Sequence, residues 1–218
     1  LHEHQVLVPA ASNTAVDLLT LKCMEAGLEV LRLGNPARVE EELLAHTLDG
    51  SIQNHADYDA LRKLRKDAES ARKQALKYKR KFDGQAYQRR KELLRDAREM
   101  KSMARKLEDY IVHQLVNNTQ VITCTLTGAA ASVLGNKRFH TVFIDEAAQA
   151  LEPACWIPLL RANRVIMAGD HCQLPPTVKS VEAERGGLGK TLFEQIIEEK
   201  GVDVMLDQQY RMHKHIMG

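Results

Sequence analysis

The sequence has few of the features that mark several whole classes of protein. Its apolar runs are strand-sized and none approaches the ~20 residues that cross a bilayer, so no membrane partner is expected. No leader is read in these residues, and the opening on Leu1 with its first apolar run a few residues later is the pattern expected of a piece cut from a longer protein. Cysteine is sparse: Cys23, Cys124, Cys155 and Cys172 lie far apart and form no C-x-x-C pair. That spacing gives little support to a zinc module or a disulfide framework and fits a reducing compartment, the cytoplasm or the nucleus. The pairs His2/His4 and His213/His215 stand two residues apart and share no face, so they are not read as metal ligands.

What is present is ordinary for a soluble globular protein, with 44% apolar and 28% charged residues over 218 positions. That length accommodates one sizeable domain, or one domain and an appendage. The net charge of +2 conceals an uneven distribution. Positions 60 to 109 hold roughly 18 Lys/Arg against about 8 Asp/Glu, which leaves the remainder net acidic. A basic segment on an acidic body suits contact with phosphates, and it equally suits a solvated helical surface.

The order of elements is alternately β and α at both ends of the chain. Val6 to Val8 reads as a strand broken by Pro9-Ala10-Ala11-Ser12, and Asn13 is placed to cap a helix through about Glu25, closed by Gly27. A second strand spans Glu29 to Leu33, ended by Gly34-Asn35-Pro36. Further strands are expected at Gln120 to Cys124, Thr141 to Ile144, Arg164 to Ala168 and Val202 to Leu206, and a helix at Thr191 to Lys200. Such alternation predicts an α/β fold with a parallel sheet.

Residues 38–115 interrupt it with an Ala-, Leu-, Lys-, Arg- and Glu-rich stretch. Leu61, Leu64, Ala68, Ala71, Ala75, Tyr78 and Phe82 recur at steps of three and four, as do Leu93, Ala97, Met100, Ala104, Leu107 and Ile111, with Asp83-Gly84 between the two series. The pattern predicts an antiparallel coiled-coil hairpin over about 58–115 with close-packed Ala positions. The expected organisation is therefore 1–37 and 116–218 as two parts of one domain, with 38–115 inserted.

In open parallel sheets, chemistry collects beyond the carboxyl ends of the strands. Three runs stand there. Asp145-Glu146 follows Val142-Phe143-Ile144; an acid pair in that position suits Asp145 as a Mg²⁺ ligand and Glu146 as a base for water, and it also suits the acidic first turn of a helix. Gly169-Asp170-His171-Cys172-Gln173-Leu174-Pro175-Pro176 carries a Gln able to bond both a phosphate and a water, or forms an ordinary turn with an Asp cap. Gln209-Tyr210-Arg211 sets a ring for base stacking beside a guanidinium for phosphate, an arrangement that a surface salt bridge also explains.

Taken in order with Pro9-Ala10-Ala11-Ser12-Asn13-Thr14-Ala15-Val16-Asp17, these runs resemble superfamily 1B helicases of the up-frameshift, Smubp and senataxin type. The likeness extends through Leu31 to Arg38 and Gln149 to Leu160. It implies a RecA-like P-loop NTPase domain using ATP and Mg²⁺, with Asp145 on the metal, Glu146 on the hydrolytic water, and Gln173, with Asp170 in its loop, coupling the γ-phosphate to the nucleic-acid groove. It also implies Tyr210 against adenine, Arg211 on the γ-phosphate, and Ser12, Asn13, Thr127 and Gly128 on the backbone of DNA or RNA. A second motor domain of the same parent chain is the implied partner, 5′ to 3′ unwinding the implied activity. An ATPase that remodels protein on nucleic acid without unwinding uses the same motifs.

The family's phosphate-binding loop is expected before Val6. Gly186-Gly187-Leu188-Gly189-Lys190-Thr191 is no substitute, since G-x-x-x-x-G-K-[ST] needs glycine where Glu184 stands; a flexible loop leading into the helix is expected there. The 218 residues alone are therefore expected to turn over no ATP, because the Lys and backbone cradle of that loop supply most phosphate contacts. Nucleic-acid-stimulated ATPase measured on this chain and on the full-length protein checks this, and turnover by the short chain would contradict it.

Overall fold

The computed structural model describes residues 5–35, 37, 39–77, 84–208 and 213. Five strands, β1 (Val6–Ala10), β2 (Val30–Arg32), β3 (Val121–Thr125), β4 (Phe139–Ile144) and β5 (Ala162–Met167), form one sheet in the order β2-β3-β1-β4-β5. Every pairing is parallel, with Leu7 of the central strand opposite both Ile122 and Val142. The β-branched and apolar content of these runs suits strands covered on both faces. Alternate residues divide between the faces. Leu7, Ile122, Cys124, Val142 and Ile144 enter the larger core, while Val8, Val30 and Val121 pack with Leu19, Cys23 and Met24 of α1 (Asn13–Glu25). Burial pushes the Cys124 thiol up to about 12 and that of Cys155 to about 11, so both serve as small apolar groups.

The cap of α1 differs from the sequence expectation. Ser12, extended at φ −127°, ψ 158°, accepts from Ala15 N at 3.1 Å, whereas the Asn13 amide oxygen is already engaged by Arg32. At the helix's other end Gly27 takes φ 79°, a left-handed conformation that favours glycine.

After β2 the chain makes a 3-10 turn at Glu41–His46 and α2 (Leu48–Gln53), capped by Thr47, whose hydroxyl accepts from Gly50 N. Two long helices follow, α3 (Tyr58–Leu76) and α4 (Gly84–Asn118), packed antiparallel along Leu61, Ala71 and Ala75 on one side and Ala97, Ala104 and Ile111 on the other. Tyr78 and Phe82, the last positions of the first series, lie outside the described residues. Ile111 and Leu61 anchor the base with Ile52, Leu48 and Tyr58.

The hairpin's direction follows from its base. Val116 lies in the sheet's core, and Gln5, just before β1, donates to the Val116 and Thr119 carbonyls at 2.7 and 2.6 Å. Ile111 meets α2, which starts beside Thr47, bridged to Arg32 at the carboxyl end of β2. The end of α4 thus runs down the sheet against the strand direction, and the rest rises past the carboxyl edge. From Gly84 to Ile111 that rise is about 40 Å.

Beyond β4 come α5 (Glu152–Leu159), a short α6 (Val181–Ala183) leading into a π-helical turn at Glu184–Leu188, and α7 (Leu192–Lys200). The π-helical turn, with Gly187 at φ 95°, stands where the flexible loop was expected to begin. Thr191 and Glu194 form a reciprocal capping box that starts α7. Residues 201–208 form neither helix nor strand, and Val202, Val204 and Leu206 are exposed. Apolar alternation does not make a strand where no neighbouring chain completes its hydrogen bonds.

Ile111→Ala should cost about 2–5 kcal/mol in urea unfolding, because it empties the wholly buried anchor of the hairpin base. Met103→Ala, at a position exposed on α4, should stay within about 0.5 kcal/mol.

Candidate nucleotide and nucleic-acid edge

All five strands deliver their following loops to one edge, and four of those loops carry the residues singled out in the sequence. Asp145 leaves β4 still tied to the sheet, since its backbone N–H donates to the Pro9 carbonyl at 3.0 Å. Glu146 then turns into the left-handed region at φ 53°, which non-glycine residues seldom adopt and Asn and Asp enter most readily. Both acidic residues of the pair are half-buried. Ala147 follows at once into the core, its N–H bonded to the Ala168 carbonyl at 2.9 Å.

That last bond joins the loops of β4 and β5. Gly169 sits so close to the β4 loop that a Cβ there would lie 2.8 Å from the Ala148 nitrogen, which no side chain tolerates without backbone movement. Immediately beyond it, Asp170 organises its own loop. Its Oδ1 accepts from Cys172 N at 2.9 Å and its Oδ2 from Gln173 Nε2 at 3.0 Å. The Cys172 N–H, with the Gln173 amide second, holds the Asp170 carboxyl below the usual carboxylate range. With its NH₂ thus engaged, exposed Gln173 has its amide oxygen on the other side of the group. The Asp170, His171 and Cys172 side chains bring potential ligand atoms within 4.8 Å of one another, all exposed. Their adjacency in sequence was legible, their convergence was not.

On the other side of β4, the polar loops of β1 and β3 are joined in the same way, by Leu126 N donating to the Ala10 carbonyl at 3.0 Å. Thr125 Oγ1 lies 3.3 Å from Thr127 Oγ1 and accepts from Gly128 N at 3.1 Å. A Cβ on Gly128 would come within 3.0 Å of that hydroxyl. A cavity of about 250 Å³ connects the two halves of the edge, lined among others by Ala11, Thr125, Thr127, Gln149 and Thr177. Ser12, Asn13, Thr127, Gly128, Asp145, Glu146, Asp170 and Gln173 are thus all at one edge. Tyr210 and Arg211 lie outside the described residues.

Sequence reasoning missed one part of this edge. Arg32 is wholly buried and paired to Asp17 at 3.0 Å. An Arg inside the apolar run Val30 to Leu33, fifteen residues after an Asp on the preceding helix, was the available signal.

A parallel sheet bearing an acid pair after one strand and a Gln loop after the next is the architecture of a RecA-like nucleotide-hydrolase domain. Comparison with known proteins makes the assignment narrower. The family described as AAA domain matches residues 1–181. Over 218 residues the chain is 38% identical to the DNA polymerase alpha-associated DNA helicase A of Schizosaccharomyces pombe, covering 99% of this chain and 31% of that protein. It is 37% identical to the DNA-binding protein SMUBP-2 of Rattus norvegicus, over 97% of this chain and 22% of the relative. With the ATP-dependent helicase NAM7 of Saccharomyces cerevisiae the identity is 34%, over 99% of this chain and 20% of the relative. The chain belongs to the AAA domain family, as first motor-domain sequence of the superfamily 1B helicase kind. It spans less than a third of the length of each of these relatives.

Gly169→Ala should lower stability by about 1–3 kcal/mol through overpacking against the β4 loop. Gly186→Ala, where an added Cβ meets nothing within 4 Å, should leave the melting temperature nearly unchanged. Equal thermal shifts in the two variants would contradict the close approach.

Proposed function

We propose that this chain is part of the first motor domain of an ATP-dependent helicase that moves 5′ to 3′ along DNA or RNA. The observation that carries the reading is the convergence at one sheet edge of the Asp145-Glu146 turn, the Gln173 loop and the polar loops of β1 and β3, tied in pairs by backbone hydrogen bonds. The helicase names of the fission-yeast and budding-yeast relatives support it. The second motor domain of the longer protein is the partner that closes the other side of the nucleotide.

In this reading Glu146, in its left-handed turn, accepts a proton from the water that attacks the γ-phosphate. Asp145 is the hard oxygen donor suited to Mg²⁺, which when bound neutralises charge on the phosphates. Gln173, oriented through Asp170, reaches the terminal phosphate through a water that donates to its amide oxygen, and Arg211 neutralises the same phosphate while Tyr210 stacks on adenine. The bond from Ala147 to Ala168 and the contact at Gly169 tie the Gln173 loop to the acid pair.

On the nucleic-acid side, Ser12, Asn13, Thr127 and Gly128 offer hydroxyl, amide and backbone donors suited to phosphate oxygens without reading bases. The hairpin rises from the same edge, and a groove along it is lined by Arg65, Arg72, Arg98, Lys101 and Arg105, which outnumber Glu69 and the Arg65-paired Glu108. This charge suits an arm over the strand's path. Among the described residues no helix is long and apolar enough to cross a membrane. The four unpaired cysteines support the cytoplasm or nucleus as the compartment.

In the full-length protein, Glu146→Gln should retain ATP binding and lower turnover by about a hundredfold or more. Equilibrium nucleotide binding and steady-state ATPase measure the two effects, and an unaltered rate would contradict the base assignment.

A further inference from the structure

Arg32 carries a charge with no access to solvent, a condition a protein sustains only by full pairing. Its Nε donates to Asp17 Oδ1 at 3.0 Å and its Nη1 to the Leu33 carbonyl at 2.8 Å. The Asp17 carboxylate balances the charge, and the two bonds together satisfy part of the fork. The third, from Nη2 to Asn13 Oδ1 at 2.9 Å, neutralises nothing.

The chemistry of the two groups determines the sense of that bond. A guanidinium has donors and no acceptor, so the Asn13 atom facing it is the oxygen. The planar amide therefore carries its NH₂ on the side away from Arg32, and among the described residues that NH₂ has no partner. Asn13 opens α1 at the carboxyl edge of the sheet, half-buried, directly after the exposed Ser12. Asp17 stands four residues on, one turn further along the same face of α1, so a single guanidinium grips two successive turns of the helix and holds its first turn against β2. Gly34 makes the room: a Cβ there would overlap Arg32 Nη1.

We propose that Arg32 is a positioning residue for the nucleic-acid contact, holding the Asn13 amide with its two N–H donors presented to a phosphodiester oxygen. The proposal rests on the reading that Ser12 and Asn13 touch the backbone. It assigns Arg32 a role that neither a buried ion pair nor a packed apolar side chain fulfils. Replacing the pair by hydrocarbon preserves folding in some proteins, yet here it would free Asn13 to rotate.

The test uses the full-length protein and fluorescein-labelled oligodeoxythymidine and oligouridine, titrated at one salt concentration. Asn13→Asp keeps an acceptor for Arg32 and puts an oxygen where the NH₂ stood. Its melting temperature should hold or rise while affinity for both strands falls about tenfold or more. Asn13→Ala should weaken binding about tenfold, and Arg32→Lys, whose one nitrogen cannot serve three acceptors, should match it. The double variant Arg32→Lys/Asn13→Ala should bind no worse than Asn13→Ala, the coupling expected of residues that act as a unit. In Arg32→Lys the strand concentration for half-maximal ATPase stimulation should rise in step, with the rate at saturation held within about twofold.

Asn13→Ala binding like the wild type would overturn the contact itself and the proposal with it. Loss in Asn13→Ala with none in Arg32→Lys, or losses that multiply in the double variant, would overturn the Arg32 assignment alone. Should Arg32→Lys fail to fold, unimpaired binding by Asn13→Asp would still contradict an outward-facing donor.

Discussion

The five strands run in one direction, and this parallel register is what the remainder of the molecule depends on. Each strand ends at the same edge, so four short loops from distant parts of the sequence, after Ala10, Thr125, Ile144 and Met167, are neighbours without any long-range contact of their own. Backbone bonds then tie them in pairs: Leu126 to Ala10, Asp145 to Pro9, and Ala147 to Ala168. The main chain sets the spacing of these loops, and side-chain bonds such as Asp170 with Gln173 and Arg32 with Asn13 then orient the polar groups at the edge. Gly169 serves the same end, since a Cβ there would force the β4 and β5 loops apart.

A second consequence is mechanical. The β4 and β5 loops touch at Gly169, and the β1 and β3 loops meet at Ala10, while a cavity runs from Thr177 and Gln149 to Thr125 and Ala11. Phosphate chemistry proposed for one half of the edge and backbone contact proposed for the other are thus separated by a few packed groups and not by a domain. The hairpin extends the same edge outward. Its alanine seam keeps α3 and α4 close, and its cationic groove lies above the loops because α4 descends against the strands.

Much of this was legible in sequence, and for identifiable reasons. The strand runs at Val121, Phe139 and Ala162 are bounded by turn residues and contain no competing helical period, so their positions shift by only a residue or two between reading and structure. The hairpin was legible because steps of three and four persist over many turns in each helix. The capping of α1 was not: Ser12 and Asn13 are both good caps, and the choice between them is made by Arg32, a tertiary partner nineteen residues away. The Asp170 to Gln173 bond and the left-handed turn at Glu146 were likewise invisible, because both are decided by the loop and not by residue type. Val202 to Leu206 shows the opposite failure, a strand-like pattern without a strand beside it.

A structure of the full-length protein with a non-hydrolysable ATP analogue and a single-stranded oligonucleotide tests the central claim most directly. It should place the terminal phosphate between the Asp145-Glu146 turn and Gln173, and run the strand's backbone past Ser12, Asn13 and Thr127 at the same carboxyl edge. A nucleotide bound elsewhere, or a strand crossing the amino edge of the sheet, would contradict it.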